Sequence, residues 1–288
     1  MWPIIQRVWI TLGLTFTVVF VAWSLIAYRA DAEARVAVRS DARVEVARMD
    51  DGWTFVPAEG STPGAASGSP PGAASGSPAR AALLFFPGAL VDPLAYAPLA
   101  RAVAEAGYVA RIIELPRRGA FGGADSPEVE ARVRSALASL PDSTRVVLGG
   151  HSRGAVVASR IAYSRPPWLG GLVLIGTSHP RDHDLSGLRV PVAKIVGTRD
   201  GLATTAEVEA NAALLPPHTR WVRVEGGNHS QFGWYGFQPL DRRPRVSAAD
   251  QRRAMIEAVL ELLADVAAPE QPDAGVGARR ELPMRDAR

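Results

Sequence analysis

The sequence predicts an α/β fold: a doubly wound, mostly parallel β-sheet led by an antiparallel hairpin and preceded by one N-terminal transmembrane helix. Three observations carry this. Short all-apolar runs such as Ala81–Phe86 and Gly171–Gly176 alternate with helical patterns, as strands covered on both faces do. Two strand-like runs, Val44–Ala47 and Trp53–Val56, flank Asp50-Asp51-Gly52, whose Asp-Gly pair signals a hairpin turn. Ahead of both, Val8–Ala27 runs for 20 residues without a charge.

At about 1.5 Å per residue that run spans about 30 Å, the hydrocarbon thickness of a bilayer. Trp2, Trp9, Trp23 and Tyr28 stand toward its ends and Arg7 and Arg29 bracket it, the pattern of interfacial anchoring. We read residues 1–30 as an uncleaved membrane anchor that meets the lipid bilayer through residues 8–27. Ala30-Asp31-Ala32 and Ala32-Glu33-Ala34 resemble cleavage sites, but the apolar core of a signal peptide is shorter, about 7–15 residues. Arg29, Arg35, Arg39, Arg43 and Arg48 follow the run, which favours a cytoplasmic domain, while the short N-terminal region favours an exported one. Both orientations stay in play.

The remaining elements follow in order. Within a single domain over 31–267, PGAASGSP at Pro63–Pro70 is repeated letter for letter at Pro71–Pro78. Such a composition has nothing to bury, so residues 60–80 read as a disordered loop, and 268–288 as a disordered tail. After strand Ala81–Phe86 comes a helix from Pro93 to Ala106, capped by Asp92, begun by Pro93 and stopped by Gly107. Strand Tyr108–Glu114, helix Pro127–Leu140 behind Ser126, strand Arg145–Leu148 and helix Gly154–Ser164 continue the alternation. Strands Gly171–Gly176 and Val192–Gly197, helix Ala206–Leu215, strand Arg220–Val224 and an amphipathic helix Ala248–Val266 complete it. Sites in such sheets lie beyond the C-terminal strand ends, here after Phe86, Leu148, Gly197 and Val224.

Composition narrows the chemistry. The 288 residues contain no Cys, which excludes disulfide scaffolds, thiol nucleophiles and Cys-ligated zinc. The net charge of +3 is spread over the chain, with Lys194 the only lysine, and gives no clustered basic face for nucleic acid. No cofactor motif is present. The segment His179-Pro180-Arg181-Asp182-His183-Asp184 carries potential metal ligands, but in one polar loop rather than at several strand ends, so no metal is expected.

Gly150-His151-Ser152-Arg153-Gly154 follows an apolar strand and opens a helix at once, the G-x-S-x-G turn that holds a serine in strained geometry with its hydroxyl exposed. A serine needs a base within reach and a carboxylate to orient that base. Of five histidines, His229 follows the last strand and comes after Asp200, which itself follows a strand directly; the chain order Ser, Asp, His selects this pair. Asp182, Asp184 and Asp125 are weaker alternatives for the acid. An oxyanion hole needs two backbone N–H donors. Arg153, at a helix start, supplies one, and Ala89, with Leu90 as the alternative, the second.

With those residues in place the chain resembles the α/β-hydrolase superfamily, and within it the lid-poor α/β-hydrolase fold-5 group. The resemblance lies in Phe85–Tyr108, GGHSRGA at Gly149–Ala155, VGTRDGLAT at Val196–Thr204 and EGGNHSQFGWYG at Glu225–Gly236. It implies Ser152 as nucleophile, Asp200 as acid and His229 as base. The chain departs from the pattern at Arg153, where Leu is common, and Ala89, where Gly is common. The expected function is a membrane-anchored serine hydrolase that cleaves a small-molecule or lipid-like ester through an acyl-serine. A non-catalytic binding protein on the same fold, or a peptidase or thioesterase variant, is the alternative. Phe232, Trp234, Tyr235 and Phe237 either line an acyl pocket or pack beneath the last helix.

Overall fold

The computed structural model describes residues 2–60 and 81–268, so the tandem repeat and the tail lie outside the described residues. Eight strands form one sheet in the order β1-β2-β4-β3-β5-β6-β7-β8. Strands β1 (Val44–Met49) and β2 (Gly52–Pro57) make the expected hairpin, and β2 runs antiparallel to β4 (Val109–Ile113). From β4 onward every pairing is parallel, through β3 (Ala81–Phe86), β5 (Arg145–His151), β6 (Leu169–Ile175), β7 (Val192–Gly197) and β8 (Arg220–Val224).

The alternation of side chains along a strand divides the apolar residues into two layers. Leu83 and Phe85 of β3 join Val147, Val173 and Ile195 on the face covered by α3 (Ala97–Glu105) and α7 (Ala248–Ala267). Leu84 and Phe86 join Leu148, Leu172 and Leu174 on the face covered by α4 (Glu128–Ala138) and α5 (Arg153–Tyr163). Both faces being covered explains why β3 and β6 read as continuous apolar runs.

Some boundaries differ from the expected ones for local reasons. The helix expected from Pro93 begins as a 3-10 turn, Pro93–Tyr96, because Pro98 lacks the N–H that would close an α-turn onto Leu94; the Ala97 amide takes that carbonyl instead. The helix expected over Ala206–Leu215 is α6 (Thr205–Ala210) plus a separate 3-10 turn. There the Asn211 side chain donates from Nδ2 to the Glu207 carbonyl (2.8 Å) and competes with the helix ladder. Helix α2 (Ala32–Val36), capped by Asp31, is too short to leave a periodic signature.

Helix α1 (Trp2–Ala27) is long and apolar enough, over Ile4–Ala27, to cross a membrane. Its end is built into the domain. Ser24, Tyr28 and Ala30 are buried, the Asp31 amide donates to the Trp234 carbonyl (2.9 Å), and the Tyr28 ring meets Tyr235 edge-on at 5.8 Å.

Lys194 lies in the middle of β7, 1% exposed, with its ammonium donating to the His179 carbonyl. Burial lowers its pKa from 10.5 to about 7. Between those values the unfolded chain holds a proton that the folded chain has lost, so stability rises with pH across that window. The expected slope is up to about 1.4 kcal/mol per pH unit. Denaturant titrations at pH 7, 8 and 9 should show midpoints that climb for the native chain and much less for Lys194→Met.

Candidate active site

Strand β5 ends at His151 and α5 starts at Arg153, leaving Ser152 alone on the turn with φ 54° and ψ −120°. A serine in that region is strained, and strain of this kind persists only where neighbours fix it. They do so here. A Cβ at Gly154 would overlap the Phe86 carbonyl and one at Gly150 would overlap the Gly154 main chain, which accounts for both glycines of the motif. The Ser152 amide extends the ladder to the Ile175 carbonyl (2.9 Å), and its side chain makes no capping bond to α5.

Asp200 follows β7 and His229 follows β8, and the two meet. His229 Nδ1–H donates to Asp200 Oδ2 at 2.8 Å, with side chains 2% and 1% exposed. Asp200 Oδ1 accepts from the amides of Leu202 (2.8 Å) and Ala203 (2.7 Å), so the carboxylate is fixed by the turn that carries it. With its proton on Nδ1, His229 keeps a lone pair on Nε2, which is buried and has no partner. Asp125, Asp182 and Asp184 stand elsewhere: Asp125 pairs with Arg153 and Arg160 (both 2.6 Å), Asp182 is exposed, and Asp184 accepts from the Ser186 amide (2.9 Å).

The donors in the loop after β3 separate cleanly. Leu90 donates its N–H to the Arg118 carbonyl (2.8 Å), Val91 to the Gly88 carbonyl (3.3 Å) and Gly88 to the Tyr96 hydroxyl (3.2 Å). Among the described residues only Ala89 keeps a free amide in that stretch. Arg153 is the first residue of α5, where the helix cannot satisfy its own N–H. Its guanidinium donates to Asp125 Oδ2 (2.6 Å).

Several supporting contacts were not legible in the sequence. The Tyr96 hydroxyl and His151 Nδ1 share a hydrogen bond (2.7 Å), and the His151 ring lies 4.5 Å from that of His229. Burial, reinforced by His229, holds the His151 imidazole neutral by pushing its pKa well below the ordinary value. Asp241 is the largest omission. Its Oδ1 accepts from the amides of Gly201 (3.1 Å), His229 (3.2 Å) and Arg242 (2.8 Å), and its Oδ2 from the Ser230 amide (2.8 Å) and hydroxyl (2.7 Å). One buried carboxylate thus ties the loop of Asp200 to the loop of His229. Nothing but a lone Asp in a Pro- and Arg-rich stretch marks it in the sequence.

The HPRDHD segment divides in space. His183 stacks on Tyr163 at 4.7 Å, while burial and then Arg181 lower the pKa of His179 to about 4. Among the described residues no three His, Asp or Glu side chains gather as metal ligands would. Phe232, Trp234 and Tyr235 are buried in the layer beneath α7, so the packing reading holds for them, and Phe237 is half exposed.

A mostly parallel eight-stranded sheet with an antiparallel second strand, a serine on the tight turn after β5 and a carboxylate–imidazole pair beyond β7 and β8 define the α/β hydrolases. The chain belongs to the alpha/beta hydrolase family, whose profile matches residues 82–253, more than half its length. Among solved structures, esterase 2 of Thermogutta terrifontis is 18% identical with a TM-score of 0.51, covering 80% of this chain and 97% of that one. An alpha-beta serine hydrolase homologue from Coxiella burnetii (14% identity, TM-score 0.46) covers 78% of this chain and 97% of its own. A structure from work on LipS and LipT, metagenome-derived lipolytic enzymes (14% identity, TM-score 0.47), covers 65% of this chain and 94% of its own. Among curated proteins no sequence matches.

Proposed function

We propose that the chain is a membrane-anchored serine hydrolase that cleaves an ester-type acyl substrate. The observation that carries the reading is the buried Asp200–His229 pair with a free Nε2, on the same sheet edge as the strained Ser152. Ser152 Oγ attacks the acyl carbonyl while His229 Nε2 takes its proton. The amides of Ala89 and Arg153 hold the oxyanion. Collapse expels the alcohol, which leaves with the proton from His229. Water, deprotonated by the same nitrogen, then releases the acid and restores Ser152. Asp200 keeps Nδ1 protonated and stabilises the imidazolium throughout. Helix α1 anchors this domain, and the burial of Tyr28 and Ala30 supports an uncleaved chain, because cutting after Ala32 or Ala34 would remove both from the core.

A fluorophosphonate probe should label the native chain and not Ser152→Ala; labelling that survives the substitution overturns the assignment. A panel of p-nitrophenyl esters of increasing chain length, a thioester and an aminoacyl-anilide reads the substrate class. Turnover of the anilide alone would replace the ester reading with a peptidase.

A further inference from the structure

We infer that the loop following His229 is a lipid-contact surface, which rests on the membrane α1 enters and brings the active site to the lipid–water boundary. The inference rests on the reading of α1 as an anchor. Continuity comes first: the Gly236 amide donates to the carbonyl of Ala27 (3.1 Å), the last residue of the apolar helix. No linker separates helix from domain, so Gly236 sits at the edge of the hydrocarbon layer. Phe237 is one residue beyond, about 3.8 Å away, inside a headgroup layer about 6 Å deep.

The loop presents apolar groups outward on a fixed frame. Phe237 is 50% and Leu240 85% exposed. Leu240 holds φ 70°, and the loop is fixed on both sides of it, by the Gln238 amide on Ser230 Oγ (2.9 Å) and by the five bonds to Asp241. The guanidinium groups of Arg242, Arg243 and Arg245 are exposed and make no ion pair among the described residues, leaving a cationic rim suited to anionic headgroups. Aromatic and aliphatic tips beside arginines are the composition of an interfacial surface. Because Asp241 also bonds the His229 amide, this surface adjoins the catalytic histidine, which favours an amphiphilic ester drawn from the bilayer.

The absence of Cys makes a direct test simple. Leu240→Cys, carrying an environment-sensitive NBD label in the full chain, is reconstituted in phosphatidylcholine vesicles with and without phosphatidylglycerol. Doxyl-labelled lipids should quench it several-fold more than the same label at Glu130→Cys on exposed α4, and more strongly with the anionic lipid. Equal quenching at both positions in protein that floats with the vesicles overturns the lipid contact and leaves the anchor reading standing. Failure to float removes both. Shielding of the label without lipid, with a dimer in solution, assigns the surface to a second copy instead.

A functional arm separates contact from catalysis. Phe237→Asp with Leu240→Asp should raise KM for a vesicle-embedded ester roughly tenfold or more, while a short soluble ester is cleaved about as before. Asp tolerates the left-handed backbone at 240 better than Leu, so this variant does not strain the loop. An unchanged KM on vesicles overturns the proposal. Turnover of the soluble ester reports separately on the hydrolase reading.

Discussion

Alanine at Ser152 or at His229 is expected to lower kcat for ester cleavage by about 10⁶, and alanine at both to lower it no further. The two side chains act in one step: without the imidazole the hydroxyl keeps its proton, and without the hydroxyl the imidazole has nothing to activate. Each loss therefore removes the whole covalent route. The amides of Ala89 and Arg153 are untouched by both changes and should leave a residual rate about 10³ above the uncatalysed one. Asp200→Asn should cost less, about 10⁴, because the amide still accepts from Leu202 and Ala203 but no longer holds His229 in the working tautomer. Single-turnover and steady-state kinetics on one activated ester, with secondary structure checked for each variant, measure all four. Additive losses at Ser152 and His229 would show that they do not act as a unit.

The residues of this candidate unit could be picked from the sequence because each stands directly after a strand-like run, where chain order and spacing speak. Ser152 is framed by two glycines whose necessity the structure explains, and Asp200 and His229 follow β7 and β8 by a few residues. The sheet was legible for the same kind of reason, since strands buried on both faces leave unbroken apolar runs. What was not legible depends on contacts between segments far apart in the chain. Tyr96 reaches His151 across 55 positions, and the amides of Gly201 and His229 converge on Asp241 from 40 and 12 positions away. No local period records such pairs. Lys194 is a further case: a lysine inside an apolar run does not announce that its ammonium is buried against a main-chain carbonyl. That the Leu90 amide is taken by the Arg118 carbonyl while the Ala89 amide is not also needed coordinates.

Asp241→Asn is expected to lower kcat for a short soluble ester about 100-fold with little change in its KM, and to destabilise the fold by about 2 kcal/mol. All five groups facing this carboxylate are donors, so both of its oxygens must accept. An amide supplies one acceptor and turns the other position into an NH₂ aimed at N–H or O–H groups. The arrangement that keeps the three amides of Gly201, His229 and Arg242 leaves the Ser230 amide facing a donor and makes the Ser230 hydroxyl, which already accepts from the Gln238 amide, turn to accept again, so the loop must shift. His229 moves with it, and displacement of a catalytic base by about 1 Å costs on the order of 10² in rate. A short soluble ester makes no use of the lipid contact at Phe237 and Leu240, which is why kcat falls and KM for that substrate does not change. Asp241→Glu restores two acceptor oxygens on a longer stem, so relative to Asp241→Asn it should recover part of the loss. It should do so in kcat as well as in stability if Asp241 acts by positioning His229. Recovery of stability with kcat still depressed would instead separate the two roles and place the catalytic effect of Asp241 elsewhere.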